Sequence, residues 1–92
     1  MTIIEQHAAE FDTDFIVYST TFCPYCVAAK RMLDKKGLSF REINFDHEPE
    51  SRMAVVEQTS HRTVPVIIDI RQDSPIFIGG FDDMQSYFKA GN

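Results

Sequence analysis

Residues 15–26 read Phe15-Ile16-Val17-Tyr18-Ser19-Thr20-Thr21-Phe22-Cys23-Pro24-Tyr25-Cys26. Two structural patterns meet in this stretch. Phe15 to Tyr18 is a short, unbroken run of aromatic and β-branched residues, as expected of a buried strand. Pro24 to Lys36 favours helix, and Gly37 stands where a C′ glycine would end it. Lys35 and Lys36 fall in the last turn and suit the negative end of the helix dipole. The loop Ser19 to Phe22 joins the two elements, and the cysteine pair opens the helix.

The flanking chain extends this unit. Upstream, Ile3, Ile4, His7, Ala8 and Phe11 fall on one helical stripe, and Thr2 with Glu5 has capping-box spacing. Asp12-Thr13-Asp14 breaks that helix. Downstream, Leu38 to Phe45 is expected to form a second strand. Asp46-His47-Glu48-Pro49 opens a third helix, with Met53 and Val56 expected on its inner face. Val64 to Ile70 reads as a strand, Arg71 to Ser74 as a hairpin turn, and Pro75 to Ile78 as the returning strand, where Pro75 is tolerated at the first position. Gly79-Gly80 turns sharply into a last helix, Asp82 to Ala90. The order α-β-α-β-α-β-β-α implies an α/β fold. The first two strands should be parallel around a crossover helix and the last two antiparallel. One mixed four-stranded sheet flanked by helices is the simplest packing.

Composition narrows the class. The chain has 92 residues, 43% hydrophobic and 25% charged, with only four Gly and four Pro. That is one domain, residues 1–92, with residues 1–13 as an N-terminal helical extension. Disorder and collagen-like repeats do not fit this composition. No apolar run approaches the ~18 residues of a membrane span. The net charge of −5 argues against general nucleic-acid binding, which needs a basic face. Met1 to Phe11 lacks the pattern of a signal peptide. The expected compartment is the reducing cytosol, where a close cysteine pair is catalytic or metal-binding more often than a structural staple.

Cys23 and Cys26 stand at a helix N-terminus, where unpaired N–H groups carry partial positive charge. A thiolate at Cys23 is stabilised there, so its pKa should lie below the ~8.5 of a free thiol. Cys26, one turn on, can reach the Cys23 sulfur and should be the more buried of the two. The expected roles are Cys23 as nucleophile and Cys26 as resolving thiol. Pro24 fits the first helical turn without losing a needed hydrogen bond. A zinc site would require two further ligands from His7, His47 and His61, which are scattered. Inert core thiols are the other alternative. The position after a strand in a βαβ pattern favours the redox pair.

The chain resembles a dithiol glutaredoxin, over roughly Phe15 to Ala90. The resemblance is carried by Cys23-Pro24-Tyr25-Cys26, Thr63-Val64-Pro65 and Gly79-Gly80-Phe81-Asp82-Asp83, in that order. It implies a thioredoxin fold and thiol–disulfide exchange with glutathione as co-substrate, without metal or flavin. It also implies a cis Val64-Pro65 bond facing the cysteines. The backbone of Thr63 and Val64 would then pair with the cysteine of glutathione as an added strand does. Gly79 and Gly80 permit a tight turn and close approach. The N–H groups of Phe81 and Asp82 would take a carboxylate, and Asp82 and Asp83 would answer the neighbouring ammonium. Asp82 is also the candidate helix cap. Tyr25 would flank the glutathione backbone. Phe22 and Phe81 are either an apolar rim or core, and His61 reads as a surface residue.

One departure stands out. The lysine that commonly lies three residues before the nucleophile is Thr20 here. Arg52, or else Arg62, would then carry the glycine carboxylate of glutathione. The partners implied are glutathione and disulfide-containing or glutathionylated proteins, met by a monomer. Two rivals remain: a thioredoxin-like donor reduced by a flavoprotein, and an iron–sulfur carrier, against which Pro24 counts.

Overall fold

A computed structural model describes residues 2–92. Its elements run α1 (Ile3–Glu10), β1 (Phe15–Ser19), α2 (Pro24–Lys35), β2 (Phe40–Asn44), α3 (Pro49–Thr59), β3 (Val66–Asp69), β4 (Ile76–Gly79) and α4 (Phe81–Lys89). The sheet order is β2-β1-β3-β4. β1 pairs parallel with β2, and β3 antiparallel with both β1 and β4. This is the expected mixed sheet, with β1 in the interior and buried at every residue.

Alternation along the strands divides the core in two. Ile16 and Tyr18 of β1, with Val66 and Ile68 of β3, face Ile4 of α1 and Val55 of α3. Phe15, Val17 and Ile67 face Ala29 and Leu33 of α2 and Met84 of α4. Burying a side chain such as Leu33 contributes roughly 1.5–3 kcal/mol. The N-terminal helix is part of this packing: the Thr2 hydroxyl caps it through Glu5 N–H, and His7 Nδ1 lies 2.8 Å from the Tyr18 hydroxyl. Burial pushes the His7 imidazole below its usual range, against the opposing charges of Glu10 and Glu48.

Several boundaries differ from the sequence reading, each for a local reason. β2 starts at Phe40 instead of Leu38. The Leu38 N–H bonds to Leu33 O at 3.0 Å, and the Gly37 N–H to Asp34 O at 3.0 Å. With Gly37 at φ 71°, this is a Schellman ending that uses Leu38 to close α2. β3 starts at Val66 because Pro65 has no N–H to place in the ladder; the Val64-Pro65 peptide is cis, as the resemblance implies. α4 begins at Phe81. The inner face of α3 is the clearest correction. Met53 is 75% exposed and Val56 only half-buried, while Ser51 and Val55 are the buried positions.

At the end of β3 remote from the cysteines, Asp69 is fully buried. It accepts from Arg71 Nε at 3.0 Å, Arg71 Nη2 at 2.8 Å and the Tyr87 hydroxyl at 2.6 Å. Burial pushes its carboxyl up, but the Arg71 and Tyr87 hydrogen bonds outweigh that and hold it below the ordinary range. Among the described residues, no helix is long and apolar enough to cross a membrane.

Candidate functional site

β1 delivers the chain to a loop, Thr20 to Phe22, that runs into α2. The Thr21 N–H donates to Asp46 at 2.8 Å and its hydroxyl accepts from Asn44 Nδ2 at 3.3 Å, fixing the loop to the end of β2. The bond from the Thr21 N–H is the leading cause that holds the Asp46 carboxyl below its usual range. Cys23 is the N-cap of α2 and Pro24 its first residue. The Cys23 Sγ accepts the Cys26 N–H at 3.1 Å, so the sulfur takes the place that a capping oxygen usually fills.

Cys23 and Cys26 are joined as a disulfide, with Cα atoms 5.2 Å apart. Their exposure differs as expected. Cys26 is 1% exposed beneath the helix, and Cys23 is half-buried. An incoming thiol therefore meets Cys23. Around it, Phe22 is 95% and Tyr25 64% exposed. Phe22 belongs to the rim and not to the core, whereas Phe81 is half-buried against the α2–α4 cluster.

The cis Val64-Pro65 segment faces the cysteines. Val64 O lies 3.8 Å from Cys23 Sγ. The Val64 N–H has no partner among the described residues. From this point a groove of about 470 Å³ runs toward the start of α4. Tyr25 and Phe81, with ring centroids 6.4 Å apart, line it together with Thr63, Val64 and Pro65. Gly80, Asp82 and Asp83 line its α4 end.

Backbone demands set that end of the groove. Gly79 has φ 119°, and a Cβ there would collide with the Asp83 carboxylate. Asp83 Oδ2 accepts the Gly80 N–H at 2.9 Å. The N-cap of α4 is therefore Gly80, and the carboxylate that closes the cap is Asp83, not Asp82. Asp82 is exposed, and its carboxylate makes no hydrogen bond among the described residues. The Phe81 and Asp82 N–H groups precede the first helical bond, from Met84 N to Gly80 O.

The groove thus gathers Tyr25, Thr63, Val64, Pro65, Gly80, Phe81, Asp82 and Asp83 beside Cys23. It does not gather Thr20 or Arg52. Arg52 lines a separate cleft of about 390 Å³ with Arg62 and the apolar Met53 and Val56. Its Nη2 donates to Arg62 O at 3.3 Å, and its guanidinium lies 5.7 Å from the Phe45 ring centroid. His61, expected at the surface, also lines the groove. Only the turn after α3 brings it there, with Ser60 in the left-handed region at φ 61°. No spacing signal marks it. Among the described residues, no cluster of three His, Cys, Asp or Glu side chains is placed to hold a metal.

Comparison with known proteins agrees with this geometry. The family model for glutaredoxin matches residues 15–73. A glutaredoxin of Pseudomonas aeruginosa is 37% identical over 76 residues, covering 83% of this chain and 86% of that protein. The crystal structure of a wheat glutaredoxin superposes with a TM-score of 0.77 at 32% identity, covering 95% of this chain and 85% of that one. A buckwheat glutaredoxin–glutathione complex superposes with a TM-score of 0.75 at 27% identity, covering 94% and 79%. The mixed sheet with its four helices is the thioredoxin fold of these neighbours.

Proposed function

The chain belongs to the glutaredoxin family, and on that premise we propose that it reduces protein disulfides and protein–glutathione mixed disulfides with glutathione as co-substrate. The coarser activity, thiol–disulfide exchange through Cys23 and Cys26, comes with the family. The observation that carries the finer reading is the groove. It starts at Val64, whose carbonyl lies 3.8 Å from the Cys23 sulfur, and ends at a carboxylate and helix N–H groups that have no partner among the described residues.

Glutathione is γ-glutamyl-cysteinyl-glycine. In this reading its cysteine pairs with the Val64 N–H and C=O like an added strand. Its γ-glutamyl carboxylate meets the N–H groups of Phe81 and Asp82, and its ammonium meets Asp82. Asp83, Gly79 and Gly80 hold the loop that presents them. Thr63, Pro65 and Tyr25 line the tripeptide's path. Arg52 reaches the glycine carboxylate from the neighbouring cleft, in place of a cation at Thr20. The buckwheat glutaredoxin solved with glutathione supports this choice of ligand.

The chemistry closes on the residues present. The Cys23 thiolate attacks a protein–glutathione disulfide, the old S–S bond breaks, and the protein thiolate leaves. A second glutathione thiolate attacks the glutathionylated Cys23, giving glutathione disulfide and free Cys23. With a protein disulfide, Cys26 attacks the Cys23 mixed disulfide and expels the second protein thiol. This forms the Cys23–Cys26 bridge that the structure holds, and two glutathione molecules reduce it. The same reading takes residues 1–92 as one domain with 1–13 as its helical extension. It acts as a monomer in the reducing cytosol, without metal, flavin, nucleic acid or membrane.

A glutathione-coupled mixed-disulfide reductase assay tests the proposal. Cys23→Ser should abolish turnover. Cys26→Ser should keep deglutathionylation and lose most reduction of protein disulfides. Turnover by thioredoxin reductase but not by glutathione would contradict it, as would loss of both activities in Cys26→Ser.

A further inference from the structure

The groove is poorly matched in charge to the ligand proposed for it. Its described lining includes two carboxylates, Asp82 and Asp83, and no lysine or arginine. Arg52 and Arg62 line the other cleft. Glutathione brings two carboxylates and one ammonium. His61 is the one lining side chain that can carry positive charge or present a strong N–H donor.

Its placement suits a carboxylate beside Gly80. His61 Nε2 lies 3.1 Å from Thr63 Oγ1. A Cβ built on Gly80 would sit 3.9 Å from the same nitrogen. The imidazole therefore stands between Thr63 and the Gly80 turn. Its ring is held edge-on to Phe77, with centroids 5.7 Å apart and planes at 69°. The His61 backbone is fixed as well, since its N–H donates to Thr59 Oγ1 at 3.1 Å. Thr63 does not commit the ring to one state, because a hydroxyl accepts from an N–H or donates to a bare ring nitrogen.

We infer that His61 is a binding residue of the groove: its Nε2, with the Thr63 hydroxyl, donates to the γ-glutamyl carboxylate held at the Gly80 turn. The inference rests on the reading that this groove takes glutathione. It gives that carboxylate a side-chain partner in addition to the start of α4, and leaves the glycine carboxylate to Arg52. It also makes His61 a determinant of specificity. A thiol without carboxylates gains nothing from the imidazole.

Reduction of the Cys23–Cys26 disulfide tests this, followed by alkylation and mass spectrometry. Rates with glutathione and with 2-mercaptoethanol are compared per thiolate, in wild type and in His61→Ala, His61→Gln and His61→Lys. Wild type should prefer glutathione. His61→Ala should slow glutathione about 3–10-fold and leave 2-mercaptoethanol unchanged. His61→Lys should restore most of the loss, and His61→Gln should fall between. Wild type without preference for glutathione would overturn the underlying reading. A preference that survives undiminished in His61→Ala would overturn the role of His61 alone. Equal slowing with both thiols would also overturn it, by pointing to a distorted site. Titration with S-methylglutathione, which binds without reacting, gives a second readout: His61→Ala should weaken it by the same factor.

Discussion

Asp82 and Asp83 are neighbours in the first turn of α4, and their loss should be felt in different quantities. Asp83 accepts the Gly80 N–H at 2.9 Å, closing the turn that starts the helix. Asp83→Ala removes that acceptor. One such bond contributes about 1 kcal/mol. For a domain of this size, that lowers Tm by about 4–8 °C. Asp83→Asn keeps an acceptor and should recover most of the loss. Asp82 is exposed, and its carboxylate makes no hydrogen bond among the described residues. Asp82→Ala should therefore change stability by no more than about 0.5 kcal/mol. Its effect should fall on the KM for glutathione. An exposed ion pair with the ammonium is worth up to about 1 kcal/mol, which corresponds to about a five-fold rise. Thermal melts and coupled turnover on the three variants separate the two roles. If Asp82→Ala lowers Tm while Asp83→Ala does not, the assignment of the cap is wrong. If Asp82→Ala leaves KM unchanged, the ammonium contact is wrong.

Two further expectations concern stability. Asp69→Asn removes the charge of a buried carboxylate whose partner Arg71 is partly exposed, and should cost about 1–3 kcal/mol at neutral pH. The Asp69 carboxyl is depressed in the fold. Its contribution is therefore complete above the unfolded value of ~3.9 and is lost as pH falls through the lower folded value. Wild-type stability should decline more steeply in that acid window than that of Asp69→Asn, which keeps only the contributions of other depressed carboxyls such as Asp46; parallel acid titrations of the two proteins would refute this. On α3, Val55→Ala should destabilise by about 1–3 kcal/mol, whereas Met53→Ala should lie within about 0.5 kcal/mol. Denaturant melts giving the reverse order would place the wrong face of α3 inward.

Strand and helix identity were legible because local pattern and tertiary role coincide. Phe15 to Tyr18 is an unbroken aromatic and β-branched run because β1 is covered on both faces. Gly37 ends α2 by the same backbone geometry that its position suggests. On α3 the two diverge. Met53 is more apolar than Ser51, yet the helix turns Ser51 and Val55 inward, and polarity misleads because a serine sits at a buried position. At α4, counting three residues on from Gly80 leads to Asp83, the spacing of a capping box with glycine at the cap. The pattern of residues alone puts the helix start at Asp82, one residue late, and so favours Asp82 as the cap. The contents of the groove were legible where motifs carry them. His61 and Arg52 were not, since their positions depend on how the turn after α3 folds and where a long side chain bends.

The sulfur that caps α2 ties the helix to the electrons it handles. In the disulfide, Cys23 offers the Cys26 N–H a neutral sulfur at 3.1 Å. In the reduced protein a thiolate would offer the same N–H a full negative charge, a stronger acceptor. The start of α2 is then better satisfied with two electrons added than without them. By a thermodynamic cycle, every increment of thiolate stabilisation at this helix end also raises the reduction potential of the pair, by roughly 30 mV for each 1.4 kcal/mol. A substitution in the first turn of α2 that leaves both sulfurs untouched still resets which disulfides this protein can reduce.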